Sequence, residues 1–591
     1  MMSFDQTPIN QLITDNIDTW TSTVKTKATT GRGSSKKLEL YGVKKLRELI
    51  LELAVRGKLV PQDPNDEPAA VLLERIAEEK AQLVKEKKIK KPKKLELIDT
   101  DDHLFDIPSS WNWERLGNIG ETNIGLTYSP KDAGDKGIPV LRSANIQKGK
   151  IDLSDLVRVQ KEVKDSVLVE AGDLLICARN GSKALVGKTA QIRSLDEPMA
   201  FGAFMAIFRS CINDYIEVFL NSPVYRRNLD GVSTTTINQI TQSNLRSTIC
   251  PIPPVNEQHR IVAKVDELMA LCDQLEQQTE ASIAAHQVLV TTLLDTLTNS
   301  ENTEELMQNW QMVAEHFDTL FTTEESIDQL KQTILQLAVM GKLVPQDPND
   351  EPAAKLLERI AEEKAQLIKE KKIKKQKALP PIADDEKPFE LPNGWEWERI
   401  GNLSHFIEYG SSQKTVESLP NGVPVLKMGD IQNGKLILGE HKVMSSDVDE
   451  LPNLYVKNND VLYNRTNSAE LVGKTGIYKG EDDKYSFASY LIRIRCNSAN
   501  ISPDYLNLSM NTPLFRQYQI EPHIKKQCGQ ANVNGTLMKS MLVSVPPLKE
   551  QSCIFNKVNE LHKLCNQLKA RIIESRAAQL NFTDAIVEQA V

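Results

Sequence analysis

The sequence predicts an α+β fold in which two mixed α/β domains are separated by antiparallel coiled-coil helices. The whole should form a pseudo-two-fold, circularly closed tandem repeat. Three observations predict this. Residues 54–93 return at 338–377 with 36 of 40 positions identical, at an offset of 284 that holds without a gap through 108–118 and 392–402. Residues 253–276 return at 546–569, at an offset of 293. Between these helical repeats lie 105–250 and 389–545, whose short apolar runs broken by glycine read as strands and turns.

Taken in order, residues 1–40 read as an N-terminal helix followed by a flexible linker ending in TTGRGSSKK. A first helical region follows over 41–104. Its head repeat opens on Asp66-Glu67-Pro68, with the aspartate as N-cap candidate and the proline in the first turn. From there a helix of about 23 residues, roughly 35 Å long at ~1.5 Å per residue, carries an apolar stripe. The stripe is Leu72, Leu73, Ile76, Leu83 and Val84, repeated at Leu356, Leu357, Ile360, Leu367 and Ile368. The first mixed domain spans 105–252. A central helical region (253–384) joins a tail repeat to the second head repeat. The second mixed domain covers 385–545, and a C-terminal helix covers 546–591. The tail stripe Ile261, Val265, Leu268, Cys272, Leu275 has the 4-3-4-3 spacing of a coiled coil. Its copy reads Ile554, Val558, Leu561, Cys565, Leu568, Ile572. Head and tail helices should pair antiparallel. The N-terminus supplies a lone head and the C-terminus a lone tail, so pairing of the two closes the ring.

Composition sets bounds on function. A net charge of −8 excludes a protein that coats nucleic acid by charge alone. By count, 105–250 carries about +1 and 389–545 about −1, so neither domain grips DNA by its own field. No apolar run approaches the ~18 residues of a membrane span. The N-terminus lacks the pattern of a secretion signal, and the few cysteines suit reduced thiols in a cytoplasm.

Several motifs are decoys. LVGKT at 185–189 and 471–475 imitates the end of a Walker A loop, but Ser182 and Ser468 stand where that loop needs glycine. A β-hairpin with a positioned lysine explains it better. No glycine-rich S-adenosylmethionine loop is present, and PIPPV and SVPPL are not the [DNS]PP[YFW] tetrapeptide of adenine methyltransferases. The carboxylates of QDPNDEP suit turn and capping chemistry rather than a metal. Trp111, Trp113 and Glu114, with Trp395, Trp397 and Glu398, mark each domain entrance and suit packing more than base stacking. The lysine run 85–94, copied at 369–377, is either a solvated helix end or a phosphate contact. Loop arginine, lysine, asparagine and glutamine are the side chains that read base edges. In the first domain these are Arg142, Asn145, Arg179, Asn180, Lys183 and Lys188; in the second, Lys427, Gln432, Arg465, Asn467, Lys474, Gln530 and Asn532.

AV(R/M)GKLVPQDP, W-x-W-E-R-(L/I)-G-N and PP(V/L)xEQxxI(V/F)xKV(D/N)EL recur in order across most of 46–591, and through them the chain closely resembles the specificity subunits of type I restriction–modification systems, the HsdS family. The resemblance implies a non-catalytic subunit whose two target recognition domains each read one half of a bipartite, asymmetric double-stranded DNA target. It implies that the helical regions set the spacer and dock two modification (methyltransferase) subunits through helices bearing Leu72, Ile76, Leu83, Ile261, Val265, Leu268, Leu356, Ile360, Leu367, Ile554, Val558 and Leu561. On the same footing, those partners carry S-adenosylmethionine, two restriction subunits carry ATP and Mg, and this chain holds no cofactor, metal or catalytic residue. A self-contained restriction or modification enzyme and a helical scaffold that reads no DNA are the alternatives.

Overall fold

The computed structural model describes residues 9–27, 37–89, 91–232, 238–524 and 531–591. The chain divides into two compact units, Met1–Ser282 with Ser575–Val591, and Ile283–Glu574. Both boundaries fall inside long helices, Val255–Asn299 and Leu548–Ala590. The main helices and strands of one unit recur in the other, and the first unit is completed by the C-terminal segment, as a closed repeat requires.

The mixed domains share one sheet plan. In the first, antiparallel strands stand in the order Thr189–Gln191, Leu174–Cys177, Met205–Arg209, Glu121–Ile124. The second repeats it with Thr475–Ile477, Val461–Asn464, Leu491–Cys496 and Ser404–Tyr409. A second small sheet pairs Ile138–Leu141 in parallel with Ala200–Phe201, matched by Val423–Leu426 with Ser486–Phe487. A separate ladder joins each domain's first strand to its last: Asn112–Arg115 with Ile249–Ile252, and Glu396–Arg399 with Leu542–Val545. The repeated WERxGN motif is explained here. Its arginine donates from Nη1 to a carbonyl of the exit segment, Ser247 at 2.7 Å for Arg115 and Ser540 at 2.6 Å for Arg399.

A buried knot, repeated in both units, ties the frame to each domain. The Trp111 indole N–H donates to Glu257 Oε2 at 2.9 Å, and Gln62 Nε2 donates to Oε1 at 2.6 Å. The copy has Trp395 to Glu550 at 2.9 Å and Gln346 to Glu550 at 3.3 Å. Burial pushes the carboxyl of Glu257 up, against the pull of its two donors, and Glu550 behaves alike. Gly57 (φ +70) and Gly341 (φ +71) sit beside this knot, where a Cβ would come within 2.6 Å of Pro108 and 2.4 Å of Pro392.

Three expectations require correction. The head helix spans Ala69–Lys85, 17 residues or about 26 Å, not 23 residues; it stops where Lys87 takes φ +58, as its copy Ala353–Lys369 stops before Lys371 at φ +56. Asp66 does not cap it. Its carboxylate instead accepts from Arg260 at 2.7 Å and Asn256 at 3.2 Å on the long helix. The coiled-coil partner is also different: helix Tyr41–Val55 lies along the tail helix, with Arg47 donating to Asp273 (2.6 Å) and Glu276 (2.9 Å). Its copy Glu324–Val339 does the same through Lys569 to Asp328 at 2.6 Å and Lys331 to Asn566 at 3.1 Å.

The N-terminal helical segment is a third repeat, and the linker expected after it lies at 28–36, outside the described residues. Residues 9–23 match 309–323 at an offset of 300, with four of fifteen identical. Helices Ile9–Asp15 and Ile17–Ser22 break at Asn16, as Thr303–Glu315 and Phe317–Leu320 break at His316. Trp20 is fully buried, and the Thr23 and Thr583 hydroxyls share a 3.0 Å bond that ties the N-terminal segment to the C-terminal helix.

Replacing Glu257 by Ala strands the buried Trp111 N–H and should cost about 1–3 kcal/mol in unfolding experiments, whereas Glu257→Gln keeps an acceptor and should cost less. A carboxyl whose folded pKa is raised binds its proton more tightly in the folded state. Stability therefore falls as pH rises through the window above the ordinary glutamate value, and Glu257→Gln should flatten that slope. Ile586→Asp should speed hydrogen exchange in 9–22 while leaving 309–320 unchanged; equal protection in both variant and parent would refute the closure.

Candidate nucleic-acid interface

The loops that carry the predicted DNA-contacting residues cluster around the two antiparallel hairpins that contain LVGKT. In each, an arginine follows the first strand, and Gly187 (φ +81) or Gly473 (φ +92) turns the chain back. The hairpin reading of LVGKT is what the structure shows.

Arg179 is exposed, its guanidinium 5.3 Å from the ring centroid of Phe204. Its counterpart Arg465 is half-buried and lies 4.9 Å from the Tyr409 ring. Both are held by backbone bonds, Arg179 N to Phe204 O at 3.0 Å and Arg465 N to Tyr490 O at 3.1 Å. Asn180 sits beside Arg179 and donates to Ser143 Oγ at 3.3 Å. Lys183 is exposed on the same turn. In the second domain Asn467 donates to Met428 Sδ at 3.3 Å, and exposed Asn532 accepts from Thr466 at 3.1 Å across a two-stranded ladder. Gln432 and Lys474 are exposed, and Lys427 is half-buried. Gln530 lies outside the described residues.

Two candidates are not readers. Asn145 is 1% exposed and spends its amide on Asp152 O and Asp155 O, both at 2.9 Å, while its oxygen accepts from Arg142 N. Lys188 is half-buried with its ammonium on the Ile146 carbonyl. Arg142 is partly spent as well, donating to Asp155 at 3.1 Å. Each holds the loop that presents its neighbours.

The stripes named for partner docking are likewise turned inward. Leu72, Ile76, Ile261, Val265, Leu268, Leu356, Ile360, Ile554 and Val558 are buried in the chain's own cores, and Leu83, Leu367 and Leu561 are half-buried. The entrance tryptophans Trp111 and Trp395 are buried, as packing requires. Among the described residues no cluster of His, Cys, Asp and Glu could hold a metal, and no helix is long and apolar enough to cross a membrane.

Beneath the interface, a buried aspartate anchors each sheet. Asp173 accepts from Arg209 at 2.6 and 2.7 Å, and Asp460 from Arg495 at 2.6 and 2.5 Å. The bond to Asp173 raises the Arg209 guanidinium further above its usual value. Sequence reasoning missed the aromatic rings beside the arginines, Phe204, Tyr409 and Tyr490. The available signal was Phe201-Gly-Ala-Phe204 against Phe487-Ala-Ser-Tyr490.

The duplicated domain is also a known one. A family model described as type I restriction modification DNA specificity domain matches residues 108–285 and again 392–575. The chain belongs to the family of type I restriction–modification specificity subunits. It is 41% identical over 594 residues to the type I restriction enzyme EcoEI specificity subunit of Escherichia coli, covering 99% of this chain and all of that one. Identity is 40% over 598 residues to the EcoAI specificity subunit of the same species, with the same coverage. The EcoKI specificity subunit of E. coli strain K12 is 25% identical over 82% of this chain and 89% of its own. A specificity subunit with two such domains accounts for the alternation of copied frame and diverged loops.

Arg179→Ala should weaken binding to a cognate duplex by about 1–3 kcal/mol if its guanidinium meets a guanine in the major groove. The loss should shrink or vanish when the contacted base is changed in one half of the target and should add fully to the effect of changes in the other, read by fluorescence titration. Equal sensitivity in both halves would count against the placement.

Proposed function

We propose that this chain is the DNA-reading, non-catalytic subunit of a type I restriction–modification complex, with each mixed domain reading one half of a bipartite, asymmetric double-stranded target. The observation that carries this is the contrast within the repeat. The knots Trp111–Glu257 and Trp395–Glu550 have the same 2.9 Å geometry in both units, whereas the residues around Arg179 and Arg465 differ: Asn180 against Thr466, Gly181 against Asn467, Lys183 against Ala469. A closely repeated frame beneath unlike loops suits a ruler that presents two different readers.

In this reading the 45- and 43-residue helices set the spacer between half-sites and offer equivalent surfaces to two modification subunits. Those partners supply S-adenosylmethionine and transfer its methyl to an adenine displaced from the duplex. Two restriction subunits bring ATP and Mg for cleavage. The near-neutral charge of both domains supports a division in which partners supply much of the phosphate-binding charge.

The test is replacement of residues 105–250 by the corresponding domain of a relative, with methylated adenines mapped in cells that also express the modification subunit. One half of the target should change and the other half and the spacer should stay. An unchanged target would end the DNA-reading model and favour a scaffold; methylation by the purified chain alone would favour a self-contained enzyme.

A further inference from the structure

The two mixed domains differ in most polar loop residues, yet one exposed feature is kept in both. Phe201-Gly-Ala-Phe204-Met205 of the first corresponds to Phe487-Ala-Ser-Tyr490-Leu491 of the second, at an offset of 286. The first ring of each motif is fully buried, while the second is 60% exposed at Phe204 and 51% exposed at Tyr490.

The turn that carries this second ring is duplicated bond for bond. Gly202 N donates to Leu141 O and Ala488 N to Leu426 O, both at 2.9 Å. Ala203 N donates to Leu126 O at 2.9 Å, and Ser489 N to Ser411 O at 2.8 Å. The turns close through Met205 N to Gly202 O and Leu491 N to Ala488 O, both at 2.8 Å. A glycine lies against each turn, Gly125 and Gly410, where an added Cβ would come within 2.2 and 2.3 Å of the carbonyl oxygens of Phe201 and Phe487. The backbone alone therefore fixes the turn, and nothing in its geometry needs an aromatic tip. Arg179 lies 5.3 Å from the Phe204 ring, but Arg465 stacks on Tyr409 rather than Tyr490, so that contact is not shared. Leaving half of such a ring in water is unfavourable, so its retention in both copies points to contact with something else.

The pair also says what kind of contact. Phenylalanine has no donor or acceptor with which to read a base edge, so the hydroxyl of Tyr490 is not the shared property. What the two share is a flat apolar face, presented next to the arginine of each domain. Tyr409, the neighbouring exposed ring in the second domain, is tied down by accepting from Gly535 N at 2.6 Å. Tyr490 stands clear of that bond.

We infer that Phe204 and Tyr490 are a matched pair of DNA wedges, each placing its ring against the base stack of its own half-site whatever the bases there, while the side chains around Arg179 and Arg465 select the sequence. This rests on the reading of both domains as DNA readers. Apolar side chains that enter a base step unstack it and are tolerant of sequence, which suits a contact needed identically in two unlike half-sites.

The test uses the full chain assembled with its modification subunit and a duplex of the mapped target in which 2-aminopurine replaces one base at a time. Apart from the signal at each displaced adenine, the wild-type complex should raise 2-aminopurine fluorescence at one further step in each half-site. Phe204→Ala should abolish the rise in the first domain's half only, and Tyr490→Ala in the other, each weakening binding roughly ten- to hundredfold. Phe204→Tyr and Tyr490→Phe should preserve both signals, and the thermal unfolding midpoint of every variant should match wild type. A fluorescence pattern and affinity unchanged by either alanine would overturn the proposal alone. A shifted unfolding midpoint in the alanine variants would also overturn it, by showing the rings to be structural. A wild-type complex with no preferred target would overturn the DNA-reading itself, and the wedge with it.

Discussion

The carboxylate of Glu257, and of Glu550 in the copy, is the contact on which the remaining arrangement depends. It joins three stretches of chain that are remote in sequence: the turn after the first frame helix through Gln62, the domain entrance through Trp111, and the start of the long helix that carries it. At 1% exposure a carboxylate without donors would be expensive, and an indole N–H without an acceptor would be nearly so. The three partners are therefore useful only together. That is a physical reason for the motifs surrounding them to survive duplication almost letter for letter while the domain interiors drifted. The adjoining ladder between first and last strands makes the same point from the backbone side. A recognition domain leaves and rejoins the frame at one place, so its interior can change without moving its attachment.

Where the frame did drift, it drifted in sets. Glu52 is buried and accepts from Arg56 at 2.9 Å and from Arg227 of the first mixed domain at 2.6 Å. Burial would push that carboxyl up, and the two guanidinium groups more than reverse it. The corresponding positions in the second unit are Gln336, Met340 and Gln517, all uncharged. Loss of both arginines would leave the buried Glu52 carboxylate unpaired, which is costly, and in the second unit all three positions are uncharged together. Each recognition domain is thereby fitted to its own half of an otherwise near-identical frame.

Much of this was legible in the sequence, and the failures have physical causes. The tail stripe was readable because burial of Ile261, Val265, Leu268, Cys272 and Leu275 imposes a fixed period. The head helix was overextended because lysine-rich sequence favours helix locally, and nothing in the letters announces that Lys87 and Lys371 adopt left-handed backbone. Asp66 satisfied every local rule for a cap and was claimed by Arg260 instead, an interaction 194 residues away that outcompetes the local one. The third repeat escaped because its packing preserves size and polarity pattern rather than identity: Ile13 matches Val313 and Trp20 matches Leu320. In the interface, residue type alone picked out Arg179 and Arg465 together with Asn145 and Lys188. Which loop side chains face outward depends on whether a carbonyl waits behind them, as Ile146 O does for Lys188 and Asp152 O for Asn145, and spacing carries no trace of that.

The same distinction explains how the surface can change without loss of fold. Asn145 and Lys188 bond to backbone carbonyls, and the hairpins are closed by backbone ladders and by glycines with positive φ. None of these supports uses the exposed guanidinium of Arg179 or the exposed ammonium of Lys474. Exchange of an outward side chain therefore leaves the loop path intact, and the free-energy consequence of the exchange falls on whatever the surface meets rather than on the protein. Buried positions at the opposite end of the same strands lack that freedom, since loss of Asp173 would leave Arg209 without the carboxylate that fixes it. Target preference can thus diverge between the two domains at little structural cost, provided that divergence stays outside this inner layer of carbonyl-bound amides, lysines and paired aspartates.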